Sequence, residues 1–415
     1  MRLRFGLTAR GWTLLIAGAT VAVTASWIGE PDLAWIGLFL VAIPCLGLLV
    51  VLFLSPRLTV ERSITPPSVT VGEQARAKLV VTNSRRLNFS SLSFQDHTPE
   101  TLGPHASFDL ARGITVWRQA AGYEVPTSMR GHFPLGPLSV KNFDPFATAW
   151  KRWRVPGEPA WLRVTPEIWE LPLPRSGKSV GSTGEATPQR VGQAGTDDIL
   201  VREYRHGDGL RRVHWKMTAK RGELMVRLEE QPWDPAMTVL VDTRSPAHLG
   251  TGRNSTLEWG ISFGTSLGGA LLGERLRIAV VGADGMIFQP LRGEGSSSSE
   301  RLIAAMTEVQ ASGRDSLEDC LADPDALSAA KSVVACLGVL TALDAAALVA
   351  ATTGMAQADA LVPDPQAFGL PPERARAHEE ACRLLSSTGW NLAHYGPGTS
   401  VPQGWQLLMT RREAL

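Results

Sequence analysis

The sequence predicts a multi-domain chain: an N-terminal two-helix transmembrane hairpin, then an all-β sandwich, then an α/β domain on a mainly parallel sheet. Three observations carry this. Two long uncharged runs open the chain, Gly11 to Gly29 and Leu33 to Leu54. From Leu58 the apolar positions recur every second residue. From Met237 short apolar runs alternate with helical patterns. A period of two marks strands half buried in a sheet, and strand–helix alternation marks βα units. A chain of 415 residues is also too long for one ordinary core.

The hairpin is expected over residues 1–57. Each uncharged run approaches the roughly 20 residues that cross a hydrocarbon core. Trp12, Trp27 and Trp35 stand at the run ends, where interfacial tryptophans are favoured. The turn Gly29-Glu30-Pro31-Asp32 is acidic, and the flanks carry Arg2, Arg4, Arg10, Arg57 and Arg62. The positive-inside bias then places both termini and the soluble domains in the cytoplasm. Thr24, Ala25 and Ser26 could form a signal-peptide cleavage site, but a second span follows within a few residues. No charge is buried in the runs, so they read as an anchor rather than a transport path.

The sandwich is expected over residues 58–170, with short strands separated by turn formers at immunoglobulin-like spacing. Ala77–Val81 is a clear strand; Ser90–Phe94, Thr115–Trp117 and Tyr123–Pro126 are further ones. Arg130-Gly131, Gly136-Pro137 and Asp144-Pro145-Phe146 punctuate its end. Residues 171–196 are rich in Gly, Ser, Pro and Thr and read as a flexible linker. They contain no Walker-type phosphate loop.

Residues 197–415 hold the α/β part, of Rossmann type. Met237–Val241 is a candidate central strand. Capping boxes at Ser255–Glu258 and Ser297–Glu300 open helices, and Asp284-Gly285 predicts a hairpin with one antiparallel edge strand. Ligands of such sheets sit beyond the carboxyl ends of the strands, which points to Asp242.

Composition narrows the function classes. A net charge of +1 excludes a global bias toward nucleic acid, so any basic site is local. Cys45, Cys320, Cys336 and Cys382 are scattered, which suits neither a zinc site nor a disulfide framework. The local basic site is the stretch Arg202 to Arg227, with eight Arg and Lys residues against Glu203, Asp208 and Glu223. It could bind a phosphate or an acidic partner, or pair internally and dock the segment on the sheet. His214 has no Ser or Cys partner close in sequence, and packing beside Trp215 is its simpler role.

The run from Tyr204 to Leu224, YRHGDGLRRVHWKMTAKRGEL, resembles the signature of the domain-of-unknown-function family fifty-eight. The positions that carry the resemblance are Tyr204, Gly207, Asp208, Arg211, His214, Trp215, Lys216, Lys220 and Gly222. The N-terminal helix pair and the three turns of the sandwich resemble that family as well. The resemblance implies a bacterial inner-membrane protein with a von Willebrand factor A-like domain after the signature. It implies work beside a MoxR-type AAA+ ATPase, in chaperone-like assembly or an envelope-related process. The signature positions are then partner-binding candidates, and no catalytic residue is implied. A homo-oligomer is left open.

The A-type fold often holds a divalent ion on a D-x-S-x-S motif. Here Asp242 keeps the first position, while Arg244 and Pro246 replace the serines. Thr243, Ser245, Thr341 and Asp344 offer oxygens out of register. A guanidinium beside such a site disfavours a metal, so the expectation is a degenerate site without a cofactor, Mg²⁺ being the ion it would otherwise take. The competing function is a phosphate- or nucleotide-handling enzyme built on Arg202–Arg227 and the Asp242 pocket.

Overall fold

The structure is a computed structural model that describes residues 4–86, 91–109, 115–173, 201–203, 218–220, 222–223, 225–227, 237–291, 297–321 and 331–413. It divides into two compact units. The first comprises Met1–Trp169, Leu249–Ser266 and Glu300–Gln310; the second comprises Glu170–His248, Leu267–Ser299 and Ala311–Leu415.

In the first unit a short strand, β1 (Arg4–Leu7), precedes the hairpin helices α1 (Ala9–Ile28) and α2 (Pro31–Phe53). Both helices are long and apolar enough to cross a membrane. Thr8 caps α1 by accepting from the Gly11 N–H, and Gly29 ends it in the left-handed region (φ 81°). The buried positions of α1 are Gly11, Gly18 and Ala25, a seven-residue repeat of small side chains. A Cβ at Gly18 would lie 2.8 Å from the Gly37 carbonyl oxygen, so glycine is what lets the helices close on each other.

Ten strands follow: β2 (Leu58–Thr65), β3 (Ser68–Thr70), β4 (Gln74–Asn83), β5 (Ser91–Asp96), β6 (Ala106–Phe108), β7 (Trp117–Pro126), β8 (Gly131–Leu135), β9 (Leu138–Phe143), β10 (Ala149–Arg154) and β11 (Ala160–Thr165). They form three sheets, in the orders β1-β10-β9-β5-β6, β2-β4-β7 and β3-β11-β8. Leu79 and Val81 of β4 pack with Leu92, Phe94, Leu138 and Val140 of the five-stranded sheet. Ala75 and Ala77 of β4 pack with Leu135, Leu162 and Val164 of the other. The long β2-β4-β7 layer is thus covered by two sheets in succession.

Three sequence expectations change here. Of the strands expected at Thr115–Trp117 and Tyr123–Pro126, the first begins only at Trp117 and the two are one strand, because Gln119–Gly122, weak in strand propensity, pair with Lys78–Val81 of β4. The chain before the hairpin is itself a strand, not only a basic flank: β1 pairs with β10 from Arg4↔Arg152 to Leu7↔Ala149. Arg62 is not a membrane-flanking charge. Its guanidinium is buried on Asp96, 2.6 Å from Oδ1, and the Tyr123 hydroxyl donates to the same carboxylate at 2.7 Å.

In the second unit β12 (Val201–Glu203) pairs antiparallel with β13 (Met225–Arg227), from Val201↔Arg227 to Glu203↔Met225. The six-stranded sheet is built from β14 (Met237–Val241), β15 (Ile278–Gly282), β16 (Gly285–Phe288), β17 (Ser332–Cys336), β18 (Gln357–Pro363) and β19 (Asn391–Tyr395). Its order is β16-β15-β14-β17-β18-β19. Every pairing is parallel except β15–β16, the hairpin that Asp284-Gly285 predicts. Among the described residues the helices of the α/β part are α3 (Thr256–Gly273), α4 (Ser297–Glu308), α5 (Glu318–Leu321), α6 (Ala342–Ala351), α7 (Pro372–Ser387) and α8 (Val401–Glu413); α3 and α4 each have residues in both units. Helix α8 stands where the sequence left only a closing segment around Trp405–Thr410. β14, β15 and β17 are buried at every residue, which explains their continuous apolar runs. Of the expected linker, residues 171–173 are described and 174–196 lie outside the described residues.

Candidate functional site

Strand β14 has β15 on one side and β17 on the other, so the chain leaves its neighbours in opposite directions and opens a crevice at their carboxyl ends. Asp242 is the first residue past β14 and is fully buried. Its carboxylate accepts four hydrogen bonds. Oδ1 takes the Arg244 backbone N–H (3.1 Å) and Nε (3.0 Å); Oδ2 takes Arg244 Nη2 (2.7 Å) and the Gly338 N–H (3.1 Å). Gly338 follows β17, so the two strands of the switch point meet on one carboxylate. A Cβ at Gly338 would lie 2.5 Å from the Ala247 carbonyl oxygen, so only glycine brings that N–H so close.

Arg244 does not stop at Asp242. Its Nη1 donates to Asp344 Oδ1 at 2.7 Å and to the Asp315 carbonyl at 3.1 Å. Asp344 is the N3 residue of α6 and closes a capping box with Thr341. Its Oδ2 accepts from the Thr341 N–H (2.9 Å) and hydroxyl (2.8 Å), and its Oδ1 also accepts from the Leu317 N–H (3.1 Å). A single guanidinium, 1% exposed, therefore bridges two carboxylates that are 0% exposed. Burial alone would raise the Asp344 pKa, but the Arg244 charge and the N–H groups of Thr341 and Leu317 outweigh it and hold the carboxyl below its usual range. Burial alone would lower the Arg244 pKa, but the bonds and charges of Asp242 and Asp344 raise it.

The donor set does not fit a divalent ion. The place between Asp242 and Asp344 is filled by guanidinium nitrogens, Pro246 has no hydroxyl, and Thr243 Oγ1 accepts from the Ala283 N–H at 3.0 Å. Among the described residues no group of three or more His, Cys, Asp or Glu side chains could hold a metal. Ser245 donates its backbone N–H to the Ser312 carbonyl at 2.7 Å.

Beside Arg244 the surface forms a depression of ≈ 160 Å³, lined by Pro246, Leu340, Thr341 and Arg374 among others. Arg374 donates to the Pro246 carbonyl at 2.9 Å while remaining exposed. Behind it stands His378, fully buried. Its Nδ1 accepts the Leu340 N–H at 3.0 Å and its Nε2 lies 3.1 Å from the Pro363 carbonyl oxygen. That geometry requires the neutral ring with its proton on Nε2. Burial pushes its pKa down to about 4.

Of the signature positions, Lys220 lies in a short helical turn (218–220) and is exposed. Gly222 closes that turn at φ 77°, its N–H on the Thr218 carbonyl at 2.9 Å. Tyr204, Gly207, Asp208, Arg211, His214, Trp215 and Lys216 lie outside the described residues. The paired strands β12 and β13 flank this segment on either side. Sequence reasoning placed Asp242 at the site but missed Gly338 and His378. It named Asp344 only as a spare oxygen donor and Arg244 only as an obstacle. The signal was present in Arg244 itself, a cation two residues after a buried-strand aspartate, and in the Thr341-x-x-Asp344 capping pattern.

The family described as protein of unknown function DUF58 matches residues 200–372, a stretch that runs from β12 to the start of α7 and includes the whole Asp242–Arg244–Asp344 bridge. The match supports that family for this part of the chain. Among curated proteins no sequence matches. Among solved structures, the CARDB domain of a Pyrococcus furiosus protein is similar over 26% of this chain and 91% of its own, at 16% identity and a TM-score of 0.18. The C-terminal domain of wzt is similar over 30% of this chain and 84% of its own, at 16% identity and a TM-score of 0.20. Pseudomonas fluorescens alkylpurine DNA glycosylase AlkC is similar over 33% and 40%, at 12% identity and a TM-score of 0.17. At these scores the structural likenesses bear on neither fold nor function.

Proposed function

We propose that the chain is a membrane-anchored interaction protein of the DUF58 family, with an immunoglobulin-like sandwich and a von Willebrand factor A-like domain on the cytoplasmic side. Its partner is a protein, of the MoxR-type AAA+ ATPase class, and docking uses the carboxyl-end surface of the six-stranded sheet around Arg374 and Thr341. The observation that carries this reading is the Arg244 bridge. A-type domains that bind partners through a metal present a cation at this end of the sheet; here Arg244 lies between Asp242 and Asp344 instead. The surface is then shaped permanently, without a metal to load or lose. The uncharged stretches of α1 and α2 support the anchor.

The test is capture of the ATPase by the tagged full-length protein from detergent-solubilised membranes. Recovery should be unchanged by a chelator and should fall at least about tenfold in Arg374→Glu, the size of one exposed interfacial charge reversed. Recovery that needs divalent ions, or that ignores Arg374→Glu, would refute the docking surface.

A further inference from the structure

The five-stranded sheet of the first unit carries an arrangement that the docking reading does not use. Strand register sets Arg4, Arg152 and Lys141 directly opposite one another on β1, β10 and β9, followed on β5 by Ser93. All three cations are exposed. Like charges facing each other across adjacent strands are destabilising unless an anion compensates them. Arg152 Nη2 donates to the neutral Gln95 Oε1 at 2.8 Å. Among the described residues no acidic side chain forms a salt bridge with any of the three.

The next row toward the hairpin is aromatic. Gly6, Trp150, Phe143 and Ser91 stand opposite one another, and Lys141 Nζ lies 4.8 Å from the Phe143 ring centre and 5.3 Å from that of Trp150. Leu92, Phe94 and Val140, on the intervening positions, face the core, so both rows lie on the outer face.

This sheet and the end of β4 are tied to the hairpin. The Thr8 N–H donates to the Thr148 carbonyl at 2.8 Å, and its hydroxyl donates to the Ala147 carbonyl at 2.7 Å. Lys151 Nζ donates to the Leu52 carbonyl at the end of α2 (3.3 Å), and Arg85 Nη1 donates to the Ser55 carbonyl (2.9 Å). Phe146 in the Asp144–Thr148 turn is 68% exposed, and the hairpin-end aromatics Trp12 and Phe53 are 54% and 70% exposed. The depth fits. Helix α1 is about 30 Å long, the thickness of a hydrocarbon core. Gly6 stands three residues before Ala9, at most about 10 Å of strand, so the aromatic row lies close to where the hairpin enters the membrane and the basic row one step farther along the strands.

We infer that the outer face of β1-β10-β9 rests on the anionic headgroup layer of the membrane that the hairpin enters, with Trp150, Phe143 and Phe146 in the interface and Arg4, Arg152 and Lys141 on lipid phosphates. The inference rests on the membrane-anchor reading. The sheet is then held at a fixed attitude to the bilayer, not swung on a tether.

The experiment places a nitroxide label at Ser91→Cys, Ser93→Cys or, as a control within the hairpin, Ile16→Cys, each in a full-length Cys45→Ser background. The protein is reconstituted in nanodiscs of phosphatidylcholine alone or with an equal part of phosphatidylglycerol. Collisions with a headgroup-chelated nickel lipid are then read. Each cation at an anionic surface is favoured about fivefold. Collisions at Ser93 should rise by about that factor with phosphatidylglycerol and return to the neutral-lipid level in Lys141→Gln/Arg152→Gln. If Ile16 lies in lipid while Ser91 and Ser93 report only aqueous collisions in both discs, the surface proposal fails and the anchor stands. If shielding of Ser93 tracks an acidic protein that co-purifies, and not the lipid, the surface belongs to that protein and the proposal fails. If Ile16 also lies in water, the anchor reading falls and the lipid surface with it.

Discussion

At the scale of single residues, Arg244 decides the character of the site. Its guanidinium bridges two buried carboxylates that would otherwise repel and offsets one of their two charges, and removing one partner of a buried ion pair costs about 3–5 kcal/mol. Arg244→Ser should destabilise the protein by roughly that amount. It also brings Asp242 and Asp344 together with a hydroxyl, a set of hard oxygen donors for a divalent ion. Thermal unfolding should therefore show a large drop in melting temperature that millimolar Mg²⁺ partly restores in the variant and leaves unchanged in the wild type. An equal loss with and without Mg²⁺ would show that the carboxylates cannot converge on an ion. His378 gives a pH signature. Burial lowers its folded-state pKa to about 4, below the 6.5 of a free imidazole, so between these values only the unfolded chain binds the proton. Its contribution is complete above pH 6.5 and is lost as pH falls toward 4, by on the order of 3 kcal/mol. Denaturation of wild type against His378→Gln, which can still accept from Leu340, should show that difference opening below pH 6.5 and no difference in slope above it.

At the scale of elements, the hairpin is held by small residues. The approach of Gly18 to Gly37, and of Gly37 to the Ala22 backbone (2.5 Å from a Cβ), leaves no room for a side chain. Gly37→Leu should separate α1 from α2. A disulfide engineered across the pair, one that forms readily in the wild-type background, should form at least about tenfold more slowly in the variant, since close packing and not apolarity drives helix association in a lipid medium. Formation at the wild-type rate would show that the glycines are incidental. The same scale explains the strand corrections. Gln119–Gly122 carry little strand preference, yet β4 supplies partners along their whole length.

At the scale of the molecule, the N-terminal strand matters beyond its four residues. β1 covers the edge of β10 and ties the chain ahead of α1 to the strand after the Asp144 turn. Deleting residues 2–7 should leave β10 as an open edge and loosen the base of the hairpin. The expected result is faster limited proteolysis near Arg152 and Arg154, with the six-stranded part of the second unit cleaved at its wild-type rate. Uniform protection would mean that β1 contributes nothing to that edge.

Much of the architecture is legible along the chain. Uncharged runs mark the two long helices. Alternation marks the strands from Leu58 onward, and the continuous apolar runs of β14, β15 and β17 announce a buried parallel sheet with one hairpin at Asp284-Gly285. These are local patterns, and local patterns follow from side-chain periodicity. Asp242 was legible for the same reason, as the first polar residue after a buried strand. The remaining features depend on partners far apart in sequence. Arg244 meets Asp344 a hundred residues on, and Gly338 reaches Asp242 across the switch point. Arg62 leaves the membrane flank for Asp96, and β1 finds β10 nearly 150 residues later. No local pattern encodes these choices, because a charge reads the same on the chain whether it ends in water, on a lipid phosphate or buried against a carboxylate. Packing alone separates the three.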